Sequence, residues 1–282
     1  MNIGLVINKN KKDAIKCSQE IISLLKDDAD ILTHSMFEND FSDVEFYDSD
    51  KDIILNSDYV ITVGGDGTII NAGKYAAKAN KPLIGVNLGR VGFVSGLEKD
   101  EISELKRIVT NDFTIDKRML LDCHVKSLNY GEKTYVILNE VSFNRETFSP
   151  VVDLQVDLNN ESVINYRSDG IIISTATGST AYCFSAGGPV VEPQMQCMIL
   201  NPICPYSLTS RPVIFSGDSV LRVSVSKKNR ANCYLFVDGK NAMMIQYDDE
   251  ITIKKSDFTL DLINLKNKNF YTLLNEKLKE DN

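Results

Sequence analysis

The chain has 282 residues, 43% of them hydrophobic and 25% charged, with only 7 prolines and no low-complexity tract, so it reads as an ordered globular protein long enough for two cores. A formal net charge of -8 argues against a general nucleic-acid or anionic-membrane surface, because both partners are attracted by basic patches. No segment approaches the roughly 18 apolar residues that span a membrane, the start at Met1 to Asn8 is apolar too briefly for a signal peptide, and a cytoplasmic location is expected.

Residues 3 to 7 predict a first strand, and Asp13 to Lys26 carries Ile15, Ile21, Ile22, Leu24 and Leu25 at helical spacing. The acidic stretch from Asp27 to Asp52 has no clear period. Tyr59 to Val63 is a β-branched and aromatic run suited to a buried strand, and Ile69, Ile70, Gly73, Tyr75, Ala76 and Ala77 predict a helix to about Asn80. Between them lies Gly64-Gly65-Asp66-Gly67-Thr68. Glycines at a strand-to-helix junction let a ligand approach the main chain, and the free N–H groups of the helix start point at an anion. Asp66 is out of place in such a loop. A carboxylate repels phosphate, so unless it caps a turn it holds a metal ion or takes a proton from a nucleophile.

Pro82 to Val86 follows as another strand, so strand and helix alternate, which predicts a parallel sheet flanked by helices with its ligands beyond the carboxyl ends of the strands. The next loop, Asn87 to Gly96, is again glycine-rich; it shares a ligand with the first loop or merely makes tight turns. Glu101 to Val109 reads as a helix closing the first domain.

From Phe113 onward short alternating runs replace helices, with turns expected at Tyr130-Gly131, Asn159-Asn160 and Asp238-Gly239 and strands at 220–225 and 251–253. The expected organisation is an α/β phosphate-loop domain, Rossmann-like, over 1–114, completed by 261–282, and a β-rich, sandwich-like nucleotide-binding domain over 115–260. Phe270 to Leu278 returns to helical spacing and is expected to pack on the first domain. The six cysteines form no Cys-x-x-Cys pair and have no histidine at zinc-ligand spacing, so they read as reduced and mostly buried.

Three polar clusters mark the second half. Asn139-Glu140 follows the apolar Val136 to Leu138; at a strand end the pair can bind ribose hydroxyls and a base, although alone Glu140 reads as a surface glutamate. Arg167 to Tyr182 runs from a buried strand into Ser174, Thr175, Thr177, Ser179 and Thr180, then an expected helix. Singly these hydroxyls read as caps, but five exceed what one cap needs. Cys204 to Pro212 and Asp238-Gly239 are weaker, since Asp-Gly is a common hairpin turn. Arg118, Arg145, Arg167 and Arg211 are candidates for offsetting the acidic balance beside a nucleotide.

In order along the chain, Gly64 to Thr68, Asn139-Glu140, Asp169-Gly170, and Thr177 to Tyr182 with Gly187-Gly188-Pro189 resemble the NAD kinase family over nearly the full length. The loop alone also resembles lipid kinases and phosphofructokinases; the hydroxyl motif with the Asn-Glu pair narrows it. The resemblance implies phosphoryl transfer from ATP, or from inorganic polyphosphate, to the adenosine ribose 2'-hydroxyl of NAD. It also implies a divalent metal such as Mg2+, and a homodimer or homotetramer. By the same resemblance Asp66 is catalytic, and Gly64, Gly65, Gly67 and Thr68 lie by the phosphates. Asp66 and Gly67, with Phe93, Asn139, Glu140, Arg167, Asp169, Thr177, Thr180, Ala181, Tyr182 and Ser185, would line the NAD pocket. Metal ligands are not assigned. Ala176 stands where the family usually has proline, Tyr206 where histidine is frequent, Lys240 for glutamine and Val94 for leucine. These departures bear on donor choice and regulation, because no motif carboxylate or glycine is missing. The rival readings are a lipid kinase, which needs membrane access, and a non-catalytic NAD sensor, which would not need Asp66.

Overall fold

β-branched residues dominate the first strands, and such runs are stable where both faces are covered. The computed structural model describes residues 1–89, 92–159, 161–266 and 270–280, with side chains left out at 162, 163 and 276–280. Two compact units divide the chain: Met1–Arg118 with Phe258–Asn282, and Met119–Asp257.

The first unit contains β1 (Asn2–Ile7), α1 (Ala14–Leu25), β2 (Asp30–His34), β3 (Glu45–Tyr47), α2 (Asp50–Asn56), β4 (Tyr59–Gly64), α3 (Asp66–Ala79), β5 (Leu83–Asn87), β6 (Leu97–Glu98) and α4 (Lys106–Val109). Its sheet has the order β3-β2-β1-β4-β5 and every pairing is parallel. The order reverses between β1 and β4. In doubly wound sheets ligands gather outside the carboxyl ends at such a reversal. The register levels those ends, with Ile7 opposite Val63 and Gly64 opposite Asn87. Ile3, Leu5, Ile61, Val63, Ile84 and Val86 form the core with the buried face of α1.

The unassigned stretch from Asp27 to Asp52 holds β2, β3 and the start of α2, whose first turn is capped by Ser49 Oγ accepting from Asp52 N at 3.1 Å. The helix expected over Glu101 to Val109 is corrected: Lys99–Leu105 is a 3-10 helix, and only Lys106–Val109 is α-helical. The 3-10 start is fixed by a capping box between Glu98 and Glu101.

The chain leaves this unit within β7 (Thr114–Ser127) and returns within β18 (Glu250–Asn264). Between them come β8 (Gly131–Ile137), β9 (Glu140–Arg145), β10 (Val152–Leu158), β11 (Glu161–Ser168), β12 (Gly170–Thr175), α5 (Tyr182–Ser185), β13 (Cys197–Ile203), β14 (Val213–Ser216), β15 (Leu221–Val225), β16 (Cys233–Val237) and β17 (Lys240–Ile245). One antiparallel sheet has the order β14-β13-β12-β9-β16-β17. In a second antiparallel run, β11, β10, β15 and the first part of β18 pair in turn. Phe143, Ile171, Ile173, Leu200 and Leu235 from the first and Val152, Leu154, Val156, Val223 and Ile251 from the second share one core, as in a β-sandwich.

Leu262 of β18 pairs parallel with Leu83, and Ile263 and Leu265 join the first core. The last helix, α6 (Phe270–Glu280), belongs to the first unit. Asp238 and Gly239 both have positive φ, 46° and 74°, and so form the primed hairpin turn between β16 and β17. Of the expected Asn159-Asn160 turn, Asn159 is left-handed at φ 49° and Asn160 lies outside the described residues. All six cysteines are free; five are buried and Cys204 is exposed. No helix among the described residues is long and apolar enough to cross a membrane.

Candidate active site

In the first unit β4 ends at Gly64 and α3 begins at Asp66 with Gly65 as its cap, so the loop is the turn itself. Thr68 N and Ile69 N donate to Gly65 O at 2.8 and 3.4 Å, which leaves the amides of Asp66 and Gly67 ahead of the first intrahelical bond. Thr68 does not face outward. It is buried, and its hydroxyl accepts from Asn8 Nδ2 at 3.3 Å, tying the loop to the end of β1.

Asp66 is held from the glycine loop that follows β5. Phe93 N donates to its Oδ2 at 2.9 Å, while Oδ1 is buried with no hydrogen-bond partner among the described residues. A Cβ on Gly92 would overlap that same Oδ1, so glycine is required for the two loops to approach. The two loops are therefore joined, through Phe93, Gly92 and Asp66; Arg90 and Val91 of the second lie outside the described residues. Asn87 Oδ1 accepts from Gly89 N at 3.1 Å, and its amide is fastened to Glu98, which shapes the start of this loop. Beside it lies a cavity of about 590 Å³ lined by Lys12, Asp13, Glu20, Asn87, Gly89 and Lys99 among others. At its rim Lys99 Nζ meets Asp13 Oδ2 at 3.1 Å, and this hydrogen bond holds the exposed Asp13 carboxyl below its ordinary range.

In the second unit Asn139 and Glu140 are 8% and 5% exposed, so the surface-glutamate reading is corrected. A buried carboxylate carries a desolvation cost that an ordinary surface residue does not. The pair is held by its backbone. Asp238 Oδ1 accepts from Asn139 N at 2.8 Å and Glu140 N at 3.1 Å, and its Oδ2 from Leu138 N at 3.2 Å. On the other side Thr175 N donates to Asn139 O at 2.9 Å, and a Cβ on Gly178 would overlap that carbonyl. The amide Oδ1 of Asn139 is buried without a hydrogen-bond partner among the described residues.

The hydroxyl-rich line is corrected in two respects. Ser174 and Thr175 donate to Asn139 O and Leu138 O, and Ser179 bonds both backbone groups of Val191, so these three hydroxyls brace the chain. Nor does a helix of any length follow: Thr177–Thr180 is 3-10 and α5 is a single turn. Thr180 ends the 3-10 helix and Ala181 joins it to α5, with Thr180 Oγ1 donating to Thr177 O at 3.3 Å and Ala181 N to Gly178 O at 2.9 Å. Thr177 is buried, whereas Tyr182 and Ser185 are exposed. Burial, with the charges of Glu140 and Asp169 nearby, pushes the Tyr182 phenol above its usual range.

None of the four candidate arginines stands idle. Arg145 Nε meets Asp169 Oδ1 at 2.6 Å, and this bond raises the guanidinium further. Arg118 pairs with Asp116 at 2.6 Å and Arg211 donates to Leu208 O and Ser210 O. Arg167 lies over the Tyr206 ring with Asp153 at 3.9 Å. A cavity of about 700 Å³ is lined by Asn144, Arg145, Tyr182, Tyr234 and Phe236 among others. Sequence reasoning missed Asp238 as the clamp on 138–140.

Residues 3–113 match the family model of the ATP-NAD kinase N-terminal domain, and residues 138–265 that of the C-terminal domain. An NAD kinase of Caldicellulosiruptor saccharolyticus is 37% identical over 281 residues, covering 99% of this chain and 100% of the relative. A yeast NADH kinase solved with NADH shares the fold at TM-score 0.91 and 23% identity, covering 99% of this chain and 87% of its own. An NAD kinase from Archaeoglobus fulgidus, solved with ATP, aligns at TM-score 0.76 and 27% identity over 99% of both chains. On both family models and a full-length relative, the chain belongs to the NAD kinase family.

Proposed function

We propose that this chain transfers a phosphoryl group from ATP to the 2'-hydroxyl of the adenosine ribose of NAD, giving NADP. The observation that carries the reading is Asp66: it opens α3 inside the phosphate loop, one carboxylate oxygen fixed by Phe93 N and the other buried and unpartnered among the described residues. A secondary hydroxyl is a weak nucleophile, and phosphoryl transfer is driven chiefly by positioning and charge neutralisation with a proton acceptor at hand. Asp66 Oδ1 takes the proton of the 2'-hydroxyl as its oxygen bonds to the γ-phosphorus. The bond from that phosphorus to the β,γ-bridging oxygen breaks, and its electron pair leaves with ADP. The amides of Gly65, Asp66 and Gly67 receive the transferred group's oxygens at the helix start.

Asn139 and Glu140 would hold ribose and adenine. Thr177, Thr180, Ala181, Tyr182 and Ser185 would line the pocket, and Asp169, kept by Arg145, would face the nicotinamide end. Phe93, held to Asp66, would touch the same nucleotide. Arg167 would neutralise charge at the rim.

No group of three or more His, Cys, Asp or Glu able to cage a metal occurs among the described residues. Asp66, whose Oδ1 is buried without a partner among the described residues, would help hold a Mg2+ ion brought with the donor's phosphates, and the ion would supply charge neutralisation on the phosphoryl oxygens. Polyphosphate as the alternative donor to ATP, a homodimer or homotetramer and a cytoplasmic location complete the reading; sedimentation of the purified chain tests the assembly.

Incubation with NAD, ATP and magnesium, followed by a NADP-specific dehydrogenase readout, is the test. NADP should accumulate, and Asp66→Asn should lower the rate about 10²–10⁴-fold, the usual contribution of a positioned proton acceptor. Near-full activity in Asp66→Asn would sink the assignment. A protein that makes no NADP would favour the lipid-kinase or NAD-sensor readings.

A further inference from the structure

The loop between β1 and α1 carries a lysine that the motif comparison does not touch. Lys11 is pinned in the backbone, its N donating to Asn8 O at 3.0 Å and its O accepting from Ala14 N at 3.2 Å. Its side chain reaches two glycines of two other loops. A Cβ built on Gly65 would lie 3.9 Å from the Lys11 Nζ, and one on Gly89 would lie 3.2 Å from it. These glycines follow β4 and β5, whose ends are level, and Lys11 follows β1 across the point where strand order reverses.

The environment makes the placement unusual. A helix start is electropositive and favours anions, so an ammonium beside the cap of the 14-residue α3 is unfavourable until an anion lies between them. Carboxylates are close by in sequence and around the adjoining cavity, yet Lys11 makes no ion pair among the described residues; Asp13 is taken by Lys99. An ammonium beside the cap of a helix, flanked by glycines that leave room, and next to a cavity suits a polyanion better than it suits the empty protein.

We infer that Lys11 binds the phosphate chain of the phosphoryl donor, bridging the Gly64–Thr68 loop and the loop after β5. The inference rests on the kinase reading for its role and on geometry for its ligand class, a triphosphate or longer phosphate chain. The two sources of that chemistry differ in the nucleoside, for which the cavity lined by Lys12, Asn87 and Lys99 is the adjoining space.

The test uses the full chain with Lys11→Gln and Lys11→Arg, donors MgATP and magnesium tripolyphosphate, and both kinetics and direct calorimetric binding. Lys11→Gln should raise the KM for MgATP by about tenfold or more, the factor of one lost charge-assisted contact, with the KM for NAD within about twofold. Lys11→Arg should recover most of the loss. Equal loss of MgATP and tripolyphosphate binding identifies the phosphates as the contact; loss for MgATP alone would overturn it in favour of a nucleoside contact. An unchanged donor KM, or a parallel rise in both KM values, would also overturn it. Should the parent protein make no NADP, the activity reading fails, and Lys11 is judged on tripolyphosphate alone. Binding about tenfold weaker in Lys11→Gln supports the site, while equal binding, or none by the parent, overturns it. Thermal melting matched to the parent confirms folding, since the Lys11 side chain is exposed.

Discussion

Replacing Asp238 with Asn isolates what its carboxylate does, because asparagine also tolerates the left-handed backbone that Asp238 adopts at φ 46°. Three backbone N–H groups converge on that carboxylate, from Leu138, Asn139 and Glu140 at 3.2, 2.8 and 3.1 Å. An amide offers one oxygen and turns an NH2 toward a donor, so at least one N–H loses its acceptor and the remaining bonds lose their charge. A buried donor left unsatisfied costs about 1–3 kcal/mol, and each charged bond made neutral forfeits about 0.5–1 kcal/mol more. The sum is on the order of 2–5 kcal/mol, with the lower end favoured because Asp238 is partly exposed. Urea unfolding reads it by far-UV circular dichroism and tyrosine fluorescence, since the chain has 11 tyrosines and no tryptophan. The KM for NAD should rise with the loss, as Asn139 and Glu140 drift from their places. An Asp238→Asn protein within about 0.5 kcal/mol of the parent and with unchanged KM for NAD would refute the clamp, because ordinary surface substitutions stay inside that range.

A Cβ on Gly67 meets nothing within 4 Å, so Gly67→Ala should raise stability by about 0.5–1 kcal/mol in the first turn of α3 while cutting phosphoryl transfer at least about tenfold. Thermal melting with the NADP assay checks both, and a stabilised, fully active variant would contradict the phosphate loop. Glu140→Gln should weaken the apparent affinity for NAD by about tenfold and leave that for ATP within about twofold, as removal of one charged acceptor from ribose hydroxyls requires; equal effects on both would count against the ribose assignment. Burial pushes the thiols of Cys123, Cys183 and Cys233 up to about 12 and that of Cys17 to about 11, from an ordinary 9.0. Raised acids stay neutral in the fold, so their stabilisation is complete below about pH 9 and is lost as pH climbs through the raised values. The urea midpoint should therefore fall between pH 8 and pH 10. At pH 8 a disulfide reagent should react fast with one thiol, that of exposed Cys204, releasing one equivalent of the reagent's own thiolate, and a larger burst would show that the buried five are accessible.

The phosphate loop was legible because its signals are local: a β-branched strand, glycines and a helical period lie side by side between Tyr59 and Ala79. Asp27 to Asp52 was not, since β2 and β3 are short and owe their stability to pairing outward from β1, β2 on β1 and β3 on β2, partners that no local pattern names. The hydroxyl line was legible as a cluster but not as to its use. Sequence cannot distinguish Ser174, Thr175 and Ser179 bonding backbone from the same groups facing a ligand. Asp238 was hidden by distance, lying 98 residues beyond Glu140 and resembling an ordinary Asp-Gly turn. Lys11 was hidden by topology. Its neighbours Gly65 and Gly89 become meaningful only once β1, β4 and β5 are known to be adjacent.

The passage of the chain out through β7 and back through β18 has a consequence for synthesis on the ribosome. The Met119–Asp257 unit is continuous, so every residue of its core has emerged once Asp257 has. The core around β1 and β4 lacks Ile263 and Leu265 until residues beyond Asp257 have been made, and Leu83 waits for Leu262. At about 5–20 residues per second the second-made unit can close while the first-made one is still short of its last strand. The loop at Gly64 to Thr68, made before the whole Met119–Asp257 unit, thus sits on a sheet that is completed only after that unit.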